Sequence, residues 1–197
     1  MVVNEAVQVI YKGVANPITV HVDHYKPAEL TVKVSEGSIT KNNDSGSYNW
    51  TICASKNKFV EIKIYCGKQF IKSIKFPLKP LPEPVCMIGS SDGGFFCPGP
   101  SHHKQSEGIR ADWRDFTFKE VIPTVESFRF TIRKVHYTGN NDTTIIVFNK
   151  GANFNDTTKK LISLSRPGDT IIFDEILVQI GCEATVREIK KVEFELY

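Results

Sequence analysis

The sequence predicts an all-β protein made of two tandem antiparallel β-sandwich domains. Three observations predict it. Apolar residues alternate with polar ones through most of the chain, the period of a strand with one buried face. Clusters of Gly, Pro, Asn, Asp and Ser interrupt these runs at intervals of about ten residues, the spacing of sandwich strands. Finally, Pro77, Pro80, Pro82 and Pro84 crowd one short stretch, FPLKPLPEPV, and divide the chain into two halves.

In the first half, ITVHVD sets Ile18, Val20 and Val22 on one face and Thr19, His21 and Asp23 on the other. LTVKVS repeats the pattern with Leu30, Val32 and Val34, SYNWTIC with Tyr48, Trp50 and Ile52, and VEIKIY with Val60, Ile62 and Ile64. FIKSIKF follows. The segments ANP, YKPAE, SEGS, KNNDSGS, SKNK and CGK read as the turns between them. The proline run cannot sit in a central strand, because proline donates no ladder hydrogen bond. It reads as a stiff connector, which sets the domains at residues 1–79 and 80–197.

The second half offers strands in VCMI, the aromatic stretch DWRDFTF, SFRFTIRKV, TTIIVFN, TIIFDEILVQI and VEFELY, the last with Val192, Phe194 and Leu196 inward. One short helix is predicted over residues 157–165, capped by Asn155 or Asp156 and ended by SRPGD.

Composition narrows function. The 197 residues are 41% hydrophobic and 24% charged, and 25 basic against 22 acidic residues leave a net charge of +3 with both signs scattered. A nucleic-acid partner would call for basic charge gathered on one face. No stretch reaches the roughly 20 apolar residues that span a bilayer, and the N-terminal MVVNEAVQVIYKG lacks the pattern of a signal peptide. The chain is therefore expected to make no membrane contact of its own. Thirteen Phe against two Met points to a core of aromatic and β-branched side chains. The five cysteines, Cys53, Cys66, Cys86, Cys97 and Cys182, include no C-x-x-C pair. Their low density argues against a disulfide scaffold, so buried thiols are the expectation, with one bridge left open.

Residues 89–104, GSSDGGFFCPGPSHHK, hold the densest set of chemical side chains. Gly89, Ser91 and Gly93 spell G-x-S-x-G, but a nucleophile elbow needs a helix after the serine, and GGFFCPGPS is poorly suited to one. Cys97, His102 and His103 offer soft metal ligands, yet adjacent histidines diverge on an extended chain and a structural zinc needs about four ligands in fixed geometry. A solvent-exposed loop is the reading preferred, with no metal and no cofactor expected. His21, Asp23 and His24 read as a surface ladder. The carboxylate neighbours Asp112/Asp115 and Asp174/Glu175 lack a companion histidine or glycine loop. Trp50 reads as core, whereas the broken pattern around Trp113 leaves it free to stack on a ligand. Four N-x-[ST] sequons begin at Asn43, Asn49, Asn141 and Asn155, and carry glycans only in a secretory eukaryotic setting.

An ordered set of segments carries a resemblance: VQVIYKGVANPITVHV, LPEPVCMIG, GIRADWRDFTF, SFRFTI, SRPGDTIIFDEILV and VREIKKVEFELY. With these the chain resembles the C-terminal region of the gliding-motility and type IX secretion GldM (PorM) family of Bacteroidetes. The resemblance implies the last two sandwich domains of a dimeric periplasmic arm, the first immunoglobulin-like and the second with one short helix. It implies a non-enzymatic structural and interaction module that contacts outer-membrane-associated ring components, protein partners of the secretion and gliding machinery, and homodimerisation. Residues 89–107 then read as a variable connecting loop, and Phe95, Phe96, His102, His103 and Trp113 as candidate partner-binding residues. The alternative reading is a stand-alone envelope protein that binds glycan or peptide. The family's transmembrane helix and helical domain have no counterpart in this sequence, so it is not expected to couple to a proton gradient by itself.

Overall fold

The computed structural model describes residues 2–4 (backbone only), 8–89, 106–114, 116, 121–135 and 143–196. It is an all-β fold of two β-sandwich units. The first comprises Met1–Pro82 with Gly181–Ala184, and the second comprises Glu83–Ile180 with Thr185–Tyr197.

The first unit contains β1 (Val2–Asn4), β2 (Ile10–Tyr11), β3 (Ala15–Val20), β4 (Leu30–Val34), β5 (Ser38–Lys41), β6 (Ser47–Thr51), β7 (Phe59–Cys66) and β8 (Gln69–Lys79). Two four-stranded sheets form, ordered β1-β3-β6-β5 and β2-β8-β7-β4. All neighbours are antiparallel except β2, which runs parallel to β8. The alternation places Ile18, Val20, Tyr48, Trp50 and Ile52 of one sheet against Val60, Ile62, Ile64, Phe76 and Leu78 of the other. Trp50 is fully buried, donates its indole N–H to the Glu36 carbonyl at 2.7 Å and meets Phe76 edge-on. It is core, as its face required.

Two proline segments depart from the sequence expectation. Residues 15–17, expected as a turn, open β3, and Pro77 lies within β8. The registers explain both. Val20 donates to Gly46 and Leu78 to Lys58, and bonded pairs alternate along an antiparallel ladder. Pro17 opposite Asn49 and Pro77 opposite Phe59 therefore fall at non-bonded pairs, with the ring nitrogen turned away from the partner strand. On that other side, among the described residues, β1 pairs only from Ile18 and β2 only from Leu78, so neither proline costs a ladder bond there.

The second unit holds β9 (Val85–Met87), β10 (Arg110–Asp112), β11 (Thr124–Lys134), β12 (Thr143–Lys150), α1 (Asp156–Ser163), β13 (Thr170–Gln179), β14 (Arg187–Ile189) and β15 (Val192–Glu195). The main sheet runs β12-β11-β13, and β13 is flanked beyond by β14 along its second half and β15 along its first. β9 and β10 pair separately. Phe128, Phe130, Phe173, Phe154 and Phe194 form the aromatic centre, with Phe154 stacked on Phe173 at 5.7 Å. Val192, Phe194 and Leu196 are buried as the alternation required.

The helix forms where expected. Asn155 caps it, its Oδ1 accepting from the Thr158 N–H at 2.8 Å. One strand expectation is corrected: β10 stops at Asp112, and the aromatic stretch after it turns at Arg114, whose φ of 55° is left-handed. The Asp112 carboxylate accepts the Arg114 N–H at 2.8 Å, a side-chain bond that competes with strand continuation.

Candidate interaction site

Of the residues singled out in the sequence, Phe95, Phe96, His102 and His103 lie outside the described residues, as do Ser91, Gly93 and Cys97. Trp113 is described. It follows β10, half-buried, donates its indole N–H to the Val121 carbonyl and packs on Phe116 at a centroid distance of 5.6 Å. An open cleft of about 510 Å³ lies beside it, lined by Trp113, Val121 and Pro123 and by the charged residues Arg110, Asp112 and Arg114. Ile122, 77% exposed, stands at its edge. Arg110 is already engaged by the Asp112 carboxylate, which also lines the cleft, and by the Gly89 carbonyl, so what the cleft offers is the indole, which can stack on a planar or sugar face.

The carboxylate neighbours Asp174 and Glu175 are both engaged by one side chain. Arg129 forms a fork on Asp174, with Nε–Oδ1 and Nη2–Oδ2 both at 2.7 Å, and places Nη1 2.6 Å from Glu175. The cause is register, since Arg129 stands opposite Asp174 across β11 and β13. The hydrogen bonds to Asp174 raise the Arg129 pKa further above its usual range. Paired in this way, the carboxylates make a charged cross-strand ladder. His21 and Asp23 sit 3.4 Å apart on the surface. Among the described residues no group of three or more His, Cys, Asp or Glu is placed to hold a metal, and no helix is long and apolar enough to cross a membrane.

Three arrangements go beyond what the sequence specified. Asn16, fully buried, donates its amide to the carbonyls of Tyr11, Val14 and Trp50 and accepts from the Tyr11 N–H. The asparagine of GVANPI thus ties the β2–β3 connection to β6, and a polar residue inside an apolar run was its signal. Asp169, also buried, accepts the N–H groups of Val135 and Arg166 and organises the SRPGD turn. Third, Cys53 and Cys182 are disulfide-bonded. This is the one bridge the sequence left open, and among the described residues Cys66 and Cys86 are free. Cys182 reaches its partner because Gly181–Ala184 belong to the first unit, a return for which the sequence has no marker.

β12 presents a different surface. It pairs only with β11, so its far side is a sheet edge among the described residues. Ile146 is 54% exposed and Phe148 68% exposed, two residues apart on the face opposite the aromatic core.

Comparison with known families gives one consistent result. Residues 1–79 match the family model described as the GldM third domain, and residues 80–197 that described as the GldM C-terminal domain. No curated protein matches the chain.

Proposed function

We propose a structural role from one premise: the chain belongs to the GldM family, matched along its whole length by two of that family's domains. GldM domains mark a structural module of a gliding and type IX secretion protein. In our reading this chain is the distal part of a periplasmic arm, non-enzymatic and dimeric, that transmits force and presents surfaces to outer-membrane-associated ring components. The match carries the reading. The Cys53–Cys182 bond supports it, because both cysteines are surface-exposed and such bonds persist in oxidising compartments such as the periplasm.

The test is fractionation of native cells followed by an immunoblot read for mass and compartment, with chemical crosslinking in intact envelopes. The expected result is an envelope protein crosslinked to itself and to outer-membrane-associated proteins. A cytosolic protein with no envelope crosslinks overturns the reading.

The cleft at Trp113 favours a second reading, an envelope protein that binds glycan or peptide. It expects saturable binding of envelope polysaccharide that Trp113→Ala abolishes. Binding unchanged by that substitution rejects the site.

A further inference from the structure

The hydrogen-bond phase of β12 decides what its edge can do. Gly151 donates to the Glu126 carbonyl at 2.7 Å, which makes this a bonded pair. Bonded and non-bonded pairs alternate, so Asn149, Val147 and Ile145 bond to β11, while Lys150, Phe148, Ile146 and Thr144 turn their backbone groups outward. The Phe148 carbonyl confirms the phase, because it accepts the Asn155 side-chain amide at 3.0 Å. Among the described residues, the N–H groups of Thr144, Ile146 and Phe148 and the carbonyls of Thr144 and Ile146 remain as an open ladder.

The same four residues also share one face, so the ladder and the exposed Ile146 and Phe148 side chains are offered together. Two basic side chains border this face, while the nearby acids Asp174 and Glu175 are held by Arg129, which stands opposite Phe148. Arg133 stands across from Thr144, Lys150 ends the strand, and neither has a side-chain partner among the described residues. Thr143–Lys150 contains no acidic residue. Natural edges are usually blunted by proline, inward charges, bulges or a cover. Among the described residues this one has none of these from Thr144 to Phe148, and only the Phe148 carbonyl is capped.

We propose that the edge of β12 from Thr144 to Lys150 receives an extended segment of a partner protein as an added strand. The segment is apolar where it meets Ile146 and Phe148, and acidic where it meets Arg133 and Lys150. This deepens the interaction-module reading and rests on it. Strand addition draws affinity from main-chain hydrogen bonds and specificity from alternate side chains, and this edge supplies both. Charge selects the occupant. A second copy would bring another Arg133 and Lys150 to the same face with no acid between them, whereas an acidic partner pairs both.

The probe is a labelled peptide, Asp-Thr-Val-Thr-Val-Thr-Asp with blocked ends, titrated against the full chain by fluorescence anisotropy. The control is the same peptide with lysine for aspartate. The acidic peptide is expected to bind at least tenfold more tightly and to slow hydrogen exchange of the Thr144 and Ile146 amides. Phe148→Ser should weaken it at least fivefold. The double variant Arg133→Glu, Lys150→Glu should reverse the preference between the peptides, a result that mere unfolding cannot produce. Equal binding of both peptides, or no protection at Ile146, overturns the proposal. Self-association through β12, abolished by Phe148→Ser without acidic-peptide binding, also overturns it and assigns the edge to a second copy. A photocrosslinker at position 146 in native cells separates this proposal from its premise. Envelope partners captured at other positions but never at 146 reject the β12 site and leave the module reading standing. No envelope partner at any position rejects the module reading itself.

Discussion

Cys53 and Cys182 are joined across 129 residues of chain, with their Cα atoms 5.1 Å apart. Backbone bonds reinforce the junction: Gly13 donates to Ile52 at 2.8 Å, and Cys182 donates to Gly13 at 2.9 Å. Gly13 holds this bridging position at φ 87°, where a Cβ would lie 2.7 Å from Glu183 Cγ. A bond closing so long a loop restricts the unfolded chain strongly. Cys53→Ser should cost about 3–5 kcal/mol, read as a lower urea midpoint by tryptophan fluorescence. Cys182→Ser and reduction of the wild type should give the same loss, and combining both substitutions should add nothing. Identical midpoints for wild type and Cys53→Ser would show that the bond does not stabilise the fold.

Asn16 predicts a second, larger-than-average effect at a single residue. Asn16→Ala leaves the buried carbonyl of Val14 and the N–H of Tyr11 without their side-chain partner, whereas Trp50 stands opposite residue 16 at a bonded ladder pair. Each orphaned buried group costs about 1–3 kcal/mol, partly recovered by relaxation or water. A loss of about 2–4 kcal/mol is expected, and Asn16→Asp should be no better, because it removes the donor and buries a charge. A loss below 1 kcal/mol would mean that the connection does not depend on this amide.

Helix α1 is fastened to β12 by two asparagines. Asn149 donates to the Thr158 hydroxyl at 3.0 Å and accepts the Asn155 N–H at 2.8 Å, while Asn155 caps the helix. Asn155→Ala should cost about 1 kcal/mol and Asn149→Ala about 1–3 kcal/mol. Their double variant should lose less than the sum, because the residues share one network. Strict additivity in denaturant melts would reject the coupling.

Burial pushes the Cys86 thiol up to about 12 from an ordinary value of 9.0. Below pH 9 the thiol is protonated in folded and unfolded chains alike, and its contribution to stability is complete. As pH rises from 9 towards 12, the unfolded thiol ionises while the folded one does not, so the unfolded chain binds fewer protons and stability falls. Cys86→Ala should remove this part of the decline, so that the two stability curves converge between pH 8 and pH 10.5. Parallel curves would show that Cys86 does not contribute to it. At pH 8 the half-buried Cys66 should alkylate well before Cys86, as read by peptide mass.

Much of the fold was legible because burial imprints itself locally. Alternation assigned the inward faces of β3, β6, β7 and β15 residue by residue, and Asn155 with SRPGD bounded the helix, since caps and turns are chemistry between near neighbours. The proline rule failed at Pro17 and Pro77 for a reason equally physical: a missing N–H matters only if a partner strand faces it, and register decides that. Trp50 could be read as core from its face, whereas Trp113 could not, because Asp112 diverts the chain after β10.

By itself, the sequence determined the all-β class, the inward faces, the helix and the family to which the chain belongs. These follow from periodicity, capping and ordered motifs, all of which act over a few residues. Only the tertiary structure decided which cysteine meets Cys53, that Gly181–Ala184 return to the first unit, that Arg129 takes both Asp174 and Glu175, and that β12 is an edge with its apolar residues outward. Each of these depends on strand order and register between segments far apart in the chain, and alternation within a strand says nothing about which strand lies beside it.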